Sequence, residues 1–235
     1  MYKKQIYRSW FTMPAFILYF VLFIIPVIFG IGYSLTNWNA MSSEIKFVGL
    51  RNYLEIFNPD NAYLLAIKNT LVFTVCASVG KIAVGLALAL FFNRKFRTQN
   101  LMRGVYFMPF AISSLIIGMI FTSILAPDGI LNEGLRAIGL DAITKSWLTN
   151  RRTVLGAVIA VEIWKSAGLN MVIFLAGLQM IDKEYYEAAQ LDGANAMAQF
   201  RYITWPFLRP SITTNVILNI IHGLKVFDIV MSLTN

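Results

Sequence analysis

Charged side chains inside apolar stretches are the first candidates for chemistry in this chain. Lys225 and Asp228 lie three residues apart in one apolar stretch, and Glu162 and Lys165 repeat that spacing in another. Residues three apart share a helix face, so each couple could form an ion pair. Such pairs either line a polar path through a membrane or neutralise each other so that insertion is tolerable. The sequence leaves both interpretations open.

Enzyme chemistry has little support among the remaining reactive residues. The single histidine, His222, has no further ligands nearby for a metal site and is expected to pack between helices. The single cysteine, Cys76, lacks a disulfide partner and is expected to be a buried, small apolar side chain. No stretch matches G-x-x-x-x-G-K-[ST], since Gly80-Lys81 is followed by Ile82. We therefore expect no enzyme activity, metal or nucleotide site on this chain.

The composition indicates a membrane protein. Hydrophobic residues make up 57% of the 235 residues and charged residues only 14%, whereas soluble domains carry about 25% charged residues. The mean hydropathy is +0.63, and the apolar residues fall in blocks of about 20, the length that a bilayer requires. The predicted fold class is all-α, a polytopic helical membrane protein. Lys and Arg number 20 against 12 Asp and Glu, but no basic run with interleaved aromatics points to nucleic acid.

Five apolar segments are predicted to cross the membrane. Their approximate ranges are 11–35, 63–92, 101–125, 153–180 and 210–233. Small residues in the second segment, such as Gly80 and Gly85, let neighbouring helices approach closely. The whole chain is predicted to be a single transmembrane domain, 1–235. Because the chain ends at MSLTN directly after the fifth segment, we expect that a sixth helix belongs to the natural protein.

Basic residues favour a cytoplasmic N-terminus. The inner segments would be 1–10, 93–103 and 181–209, and the outer segments 36–62 and 126–152. The inner segments hold ten Lys and Arg and the outer segments six, which agrees with the enrichment of basic residues in cytoplasmic loops. We expect a multi-pass protein of a bacterial-type cell membrane with segment 181–209 in the cytoplasm.

Segment 181–209 is polar and begins with a helical pattern. Residues 183–190 contain no helix breaker, and their alanines favour a helix. Asp192-Gly193 is predicted to end this helix, because glycine readily takes the left-handed conformation found there.

A second short helix is predicted after that turn. Met197, Phe200 and Ile203 fall on one face at spacings of three, and Pro206 and Pro210 are expected to close the segment before the fifth span. Helices this short are marginal in water. They pack either on the parent bundle, as an ordinary connection, or on a docked partner, and the pattern alone allows both.

One motif in this segment resembles the coupling loop of ABC importer permeases. That motif reads EAA, three residues, G, nine residues, I, one residue and then L-P. The matching residues here are Glu187-Ala188-Ala189, Gly193, Ile203 and Pro206, with Trp205 in place of Leu. Three stretches are similar to the carbohydrate-uptake branch of that family: FVGLRNYLEIF at 47–57, IWKSAGLNMVIFLAGLQMIDKEYYEAAQLDGA at 163–194 and LKVFDIVMSLTN at 224–235. The resemblance covers nearly the whole chain.

The resemblance implies a permease subunit that forms half of a pathway for a sugar or oligosaccharide. Within the lipid bilayer, its implied partner is a second homologous permease. Its implied partners outside the bilayer are two cytoplasmic ATPase subunits and an extracytoplasmic sugar-binding protein. ATP and Mg²⁺ would bind to the ATPases, which would dock on residues 184–206. The implied ATPase contacts are Glu187, Ala188, Ala189, Asp192, Gly193, Met197, Phe200 and Pro206.

The same resemblance implies substrate contacts on the fifth span. Lys225, Phe227 and Asp228 are the candidates, because an aromatic ring can stack on a sugar while a carboxylate accepts its hydroxyl groups. Asn170 and Trp164 on the fourth span are further candidates for the pathway.

Two other kinds of transport are weighed beside this one. A permease of the same family could carry a glycerol-phosphate or polyol cargo, and binding of an anionic cargo should then depend on cations such as Lys225. A secondary transporter would show inverted repeats and a coupling-ion site inside the membrane, and the sequence shows no internal repeat.

Overall fold

A computed structural model describes residues 9–39, 41, 44–58, 62–94 and 96–234. The basic residues Lys3, Lys4, Arg8 and Lys95, which contribute to the predicted orientation, lie outside the described residues. The described part of the chain is mainly helical, and its extended pairing is limited to one antiparallel bridge between Thr36 and Phe47.

Five helical segments correspond to the five predicted spans. Three are unbroken: Trp10–Ser34, Tyr63–Phe92 and Val154–Gln179. Two are pairs of helices that are long and apolar enough only when taken together: Gln99–Ala111 with Ser114–Ile124, and Arg209–Leu224 with Asp228–Thr234. In chain order, span 1 is Trp10–Ser34, span 2 is Tyr63–Phe92, and span 3 is the pair Gln99–Ala111 and Ser114–Ile124. Span 4 is Val154–Gln179, and span 5 is the pair Arg209–Leu224 and Asp228–Thr234. The predicted fold class, an all-α membrane-spanning protein, is confirmed.

Short helices lie in the connections between the spans. They are Arg51–Ile56, Ile130–Ala137, Lys183–Leu191, Ala196–Gln199 and Trp205–Phe207, together with single turns at Asp141–Ile143 and Phe200–Thr204.

Spans 3 and 5 are bent, which the apolar pattern did not predict. Span 3 turns by 96° where Ile112 and Ser113 take extended conformations, shortly after Pro109. Span 5 turns by 50° between Leu224 and Asp228, and no proline or glycine lies between them. Non-helical backbone at membrane depth is tolerated only where protein or a water-filled cavity satisfies it.

The chain divides into two units, Met1–Ile67 and Lys68–Asn235, which are described separately; the single domain stays a prediction. In the first unit, none of the residues of span 1 is fully buried, although Ile24 and Ile25 are half-buried. The loop after span 1 is tied back by Asn52, whose Nδ2 donates to the carbonyl groups of Ser34 and Thr36 at 2.8 Å each.

Two apolar clusters form the core of the second unit. One contains Phe73, Ala77, Ile117, Val158 and Ile229, and the other contains Ala89, Phe92, Met171, Phe174 and Leu208. Both clusters contain residues of spans 2 and 4. Lys81 lies on span 2 between the residues of the two clusters, and is itself buried.

Span 2 has one buried face and one exposed face. Thr74, Ser78, Lys81 and Gly85 follow at intervals of three or four residues and are all buried. Cys76 lies off that face and is exposed, so its expected burial is wrong. Hydropathy does not reveal which face of a uniformly apolar helix packs against the protein.

Close approach between spans depends on glycine, as predicted for span 2. A Cβ atom added at Gly85 would lie 2.5 Å from Cβ of Asn170 on span 4. A Cβ atom at Gly168 would overlap the backbone of Tyr106 and Phe107 on span 3. Spans 2 and 3 therefore contact span 4 nearly backbone to backbone, and these contacts position the polar residues described next.

Candidate coupling segment and buried polar cluster

The coupling segment, residues 181–209, starts at the end of span 4. Ile181 is buried in the second apolar cluster, and Asp182 takes the extended conformation that precedes the helix Lys183–Leu191. Glu187 and Ala188 on that helix are exposed, whereas Ala189 is half-buried. The helix therefore leaves the bundle with the EAA residues of the predicted motif at or near its surface.

A glycine turn ends this first helix, as predicted. Gly193 has φ +81°, its N–H donates to the carbonyl of Gln190 at 3.0 Å, and the N–H of Ala194 donates to the carbonyl of Ala189 at 2.8 Å. This pair of hydrogen bonds is the Schellman motif, which satisfies the last carbonyl groups of a helix. A Cβ at Gly193 would meet nothing within 4 Å, so glycine is favoured by backbone conformation and not by lack of space.

The second helix is capped and runs on toward span 5. The side chain of Asn195 accepts a hydrogen bond from the N–H of Ala198 at 2.9 Å, which stabilises the helix start. The chain then passes through the wide turn Phe200–Thr204. Pro210 marks the boundary before span 5, as predicted, because it lies in the first turn of Arg209–Leu224. Pro206 lies likewise in the first turn of Trp205–Phe207, where a missing N–H costs nothing.

Side-chain contacts hold the coupling segment together and join it to the bundle. The hydroxyl groups of Tyr186 and Thr204 are hydrogen-bonded at 2.9 Å, and the rings of Tyr185 and Phe207 are 5.0 Å apart. Ile203 packs against the second apolar cluster, so it does not share an outward face with Met197 as the spacing suggested. The helix Lys183–Leu191 is therefore joined to residues 204–207, and Ile203 joins the segment to the bundle.

The outer surface of the segment remains apolar and open. Leu191 is 90% exposed and Met197 is 71% exposed, while Asp192 is also exposed. A groove of about 540 Å³ is lined by Met197, Phe200, Arg201, Tyr202, Trp205, Pro206 and Arg209. Phe200 and Pro206 are half-buried in its wall. Of the eight predicted contact residues, Met197, Phe200 and Pro206 line this groove, and the role of all eight stays a prediction.

The buried charges of spans 2 and 4 pair differently from the prediction. Glu162 Oε1 lies 3.3 Å from Lys81 Nζ on span 2, and accepts a hydrogen bond from the Ser166 hydroxyl at 2.9 Å. Lys165 instead donates to the hydroxyl of Ser114 on span 3 at 2.5 Å. The predicted pairing of Glu162 with Lys165 is wrong, because their shared helix face is packed between two different neighbouring spans.

Span 5 completes this buried polar cluster, defined as Lys81, Glu162, Lys165, Ser166 and His222. Nδ1 of His222 lies 3.4 Å from Glu162 Oε1, and its side chain is half-exposed. Oε2 of Glu162 has no hydrogen-bond partner among the described residues. Sequence reasoning did not assign a role to Lys81, although a lysine inside a 30-residue apolar helix is itself a signal of a functional or paired charge.

The two candidate pathway residues on span 4 have different surroundings. Asn170 is buried; its Nδ2 donates to the carbonyl of Ser166 at 3.0 Å, and its Oδ1 accepts from Asn219 Nδ2 at 2.6 Å. Trp164 is half-exposed, with its ring 5.1 Å from the ring of Phe121. The structure does not bring Asn170 and Trp164 to a common surface.

The three candidates on span 5 lie at its break. Lys225 follows the helix Arg209–Leu224, and Asp228 begins the next helix. The predicted shared helix face is therefore wrong, and the salt bridges among the described residues do not include this pair. Lys225, Phe227 and Asp228 are all exposed. Their charged groups are free to meet a ligand or another subunit.

Broken helices at membrane depth are typical of proteins that pass polar cargo through the bilayer. The fold and the site together define the class of this protein, a membrane transport permease. Residues 81–235 match the family described as "Binding-protein-dependent transport system inner membrane component", and the chain belongs to that family.

Relatives place the chain more closely. It is 35% identical to "Probable ABC transporter permease protein YurN" of Bacillus subtilis (strain 168), covering 96% of this chain and 78% of the relative. It is 33% identical to "Arabinooligosaccharides transport system permease protein AraP" of the same organism, over 97% of this chain and 72% of that one. The resemblance to ABC transporter permeases is confirmed.

A solved structure has the same fold over most of the chain. It is described as "Crystal structure of bacterial alginate ABC transporter in complex with alginate pentasaccharide-bound periplasmic protein". The match has a TM-score of 0.81 and 25% sequence identity, and covers 96% of this chain and 76% of that chain.

Proposed function

We propose that this chain is the permease subunit of an ATP-driven importer and forms half of the membrane pathway for a sugar or oligosaccharide. Its relatives include a permease named for arabino-oligosaccharides and a transporter crystallised with an alginate-bound periplasmic protein. The proposal includes a second homologous permease and an extracytoplasmic sugar-binding protein. ATP and Mg²⁺ bind to two separate ATPase subunits on the cytoplasmic side, where the N-terminus also lies.

The single observation that carries this proposal is the structure of the coupling segment, whose helices are fixed by local contacts. Its two short helices are fixed by the turn at Gly193, the cap at Asn195 and the bond between Tyr186 and Thr204. Isolated helices of this length are marginal in water, so these contacts indicate a rigid element. A rigid element can transmit movement of an ATPase to the spans, whereas a flexible loop would absorb it.

The surface chemistry of the segment fits a docked protein. Glu187 provides an exposed carboxylate for a charge-assisted hydrogen bond, which adds direction as well as energy. Leu191 and Met197 offer apolar surface that the chain itself leaves uncovered. An apolar centre with charged residues around it is the usual arrangement of a protein interface.

The broken fifth span is the proposed substrate path. Lys225, Phe227 and Asp228 expose a cation, an aromatic ring and a carboxylate at one break, and such breaks form binding sites in other transporters. Asn170 can take part only after its hydrogen bond with Asn219 opens. Trp164 packs its ring on Phe121, and its place in the path stays a prediction from the sequence.

The test compares two glutamates on one helix. Glu187→Ala and the control Glu184→Ala each remove an exposed carboxylate from Lys183–Leu191. Each variant is purified in mild detergent with its copurifying subunits, and ATP-dependent sugar uptake is measured in proteoliposomes. We expect Glu187→Ala to reduce recovery of the ATPase and uptake about 10-fold, as for loss of a charged hydrogen bond, and Glu184→Ala to change neither.

Two results would contradict the proposal. Equal ATPase recovery and uptake in Glu187→Ala and Glu184→Ala would remove Glu187 from the interface. Purification of the unaltered chain without any ATP-binding subunit, together with uptake driven by an ion gradient, would place the protein in another transport class.

A further inference from the structure

A groove lies beside the first half of span 4, toward the end of that span that is opposite to the coupling segment. Its volume is about 630 Å³, within the range of about 300–1,000 Å³ that is usual for small-molecule sites. The floor is made by the small residues Gly156, Ala157 and Ala160 of span 4, and apolar walls rise on both sides. A Cβ atom added at Gly156 would meet nothing within 4 Å, so the floor is open.

The walls of this groove are held in place by contacts of their own. Trp164 and Phe121 form one wall, with ring centroids 5.1 Å apart. Trp147 forms the other, and its Nε1 donates to Oδ1 of the fully buried Asn132 at 2.9 Å. Asn132 also donates from Nδ2 to the carbonyl of Lys145 at 2.9 Å. The groove is therefore formed before any ligand binds.

The length of the groove along span 4 matches the thickness of the hydrocarbon core of one bilayer leaflet. Its lining runs from Thr153, which directly precedes the helix of span 4, to Trp164 within that helix. Ten residues of α-helix rise by about 15 Å, and half of the hydrocarbon core of a bilayer is also about 15 Å. One lipid acyl chain therefore fits the length of the groove.

The open end of the groove is positively charged. Arg152 lines the groove and Arg151 precedes it, and both side chains are exposed. Among the residues that the structure describes, no carboxylate forms a salt bridge with either guanidinium. Guanidinium groups bind phosphate oxygens with two parallel hydrogen bonds. Their position at the helix start places them at the headgroup level of the same leaflet.

We propose that this groove binds a phospholipid with an anionic headgroup. One acyl chain lies on the floor of Gly156 and Ala160 against Trp164, and the headgroup phosphate lies at Arg151 and Arg152. The proposal does not depend on which cargo the permease carries, because the groove, its walls and its charges are properties of this chain alone.

The test measures lipid retained by the full chain with its copurifying subunits. The protein is reconstituted in nanodiscs of equal phosphatidylglycerol and phosphatidylcholine, extracted in mild detergent, and its bound lipid is counted by native mass spectrometry. We expect retained phosphatidylglycerol in the unaltered protein, and its loss in Gly156→Leu and Ala160→Leu, which fill the groove. Gly30→Leu is the matched control, since a Cβ there also meets nothing within 4 Å.

The charge at the open end is tested separately. Arg152→Gln should lower the preference for phosphatidylglycerol over phosphatidylcholine about fivefold, the effect of one basic residue near an anionic membrane surface. Arg97→Gln, which removes another exposed guanidinium in the loop before span 3, should leave the preference unchanged.

Three results would overturn this proposal. The first is equal retention of the two lipids by the unaltered protein. The second is unchanged phosphatidylglycerol in both groove-filling variants. The third is a photo-crosslinking residue at Ala160 that joins the chain to a second permease and not to lipid, which would assign the groove to a subunit interface.

Discussion

The coupling segment and the buried polar cluster are built from contacts of very different range along the chain. In the coupling segment, the side-chain bond between Tyr186 and Thr204 spans 18 residues, and the turn at Gly193 closes within six residues. In the buried cluster, the bond between Lys81 and Glu162 spans 81 residues and joins two helices. Local contacts leave a motif in the sequence, whereas long-range contacts do not.

The two regions also differ in what a lost contact costs. The coupling segment lies at the surface, where a strained turn disturbs only its own neighbourhood. The buried cluster holds charges inside the membrane-spanning part of the chain, where an unpaired charge is expensive. Substitutions in the cluster should therefore affect the whole fold, and substitutions in the segment should affect partner binding.

The largest effect is expected from Glu162→Gln. This change leaves the buried ammonium of Lys81 without its carboxylate, and breaking a buried ion pair costs about 3–5 kcal/mol. We expect a much lower thermal unfolding midpoint and a low yield in mild detergent. Adding Lys81→Met to Glu162→Gln removes both charges and should restore most of the stability. If the single variant unfolds at the same temperature as the unaltered protein, the cluster does not stabilise the fold.

A smaller but still global effect is expected from Gly168→Ala. The added carbon overlaps the backbone of Tyr106 and Phe107, and overpacking of this kind costs about 1–3 kcal/mol. Gly156→Ala lies on the same helix with nothing within 4 Å of the added carbon, so it serves as the control. Thermal unfolding should separate the two variants; equal midpoints would mean that spans 3 and 4 can move apart freely.

A local effect is expected from Gly193→Ala. Its φ of +81° costs a residue with a side chain about 1–2 kcal/mol. We expect the unfolding midpoint of the membrane part to stay the same, while ATPase recovery falls by about 5–30-fold, the factor that corresponds to this energy.

Gly139→Ala is the control for that prediction, because Gly139 has φ +79° and also has open space around it. It imposes the same backbone strain on a loop outside the coupling segment, so ATPase recovery should not change. A similar loss of ATPase in both variants would show that strain anywhere in the chain, and not the turn itself, governs docking.

The smallest effect on stability is expected at the break of span 5. Lys225 and Asp228 are exposed and do not pair, so Lys225→Gln and Asp228→Asn should each change the free energy of unfolding by less than about 0.5 kcal/mol. Their coupling in a double-mutant cycle should be near zero. Sugar uptake should change more than assembly in Asp228→Asn. A coupling energy above about 0.5 kcal/mol would restore the ion pair that the spacing suggested.

Much of the fold and of the coupling segment could be predicted from the sequence, because hydropathy and backbone preference are local properties. Apolar runs of about 20 residues have to cross the bilayer, which gave the five spans. Glycine after a short helix favours the left-handed turn found at Gly193. Small residues such as Gly85 favour close helix packing, and the structure has that contact.

Tertiary structure alone decided which charged and polar groups meet. Glu162 and Lys165 have the spacing of a pair, yet Glu162 bonds to Lys81 and Lys165 bonds to Ser114. The spacing within one helix does not say which neighbouring helices lie beside it. The bend after Leu224 was not predicted either, although Gly223 directly precedes it, because one glycine in an apolar run does not by itself show a break.

The sequence by itself therefore determined the membrane class, the spans and the coupling motif. The tertiary structure determined the partners of the buried charges, the breaks in spans 3 and 5 and the groove on span 4. The physical reason is the same in each case. A buried charge or polar group must find a partner within a few ångströms, and only the packing of helices distant in sequence decides which group that is.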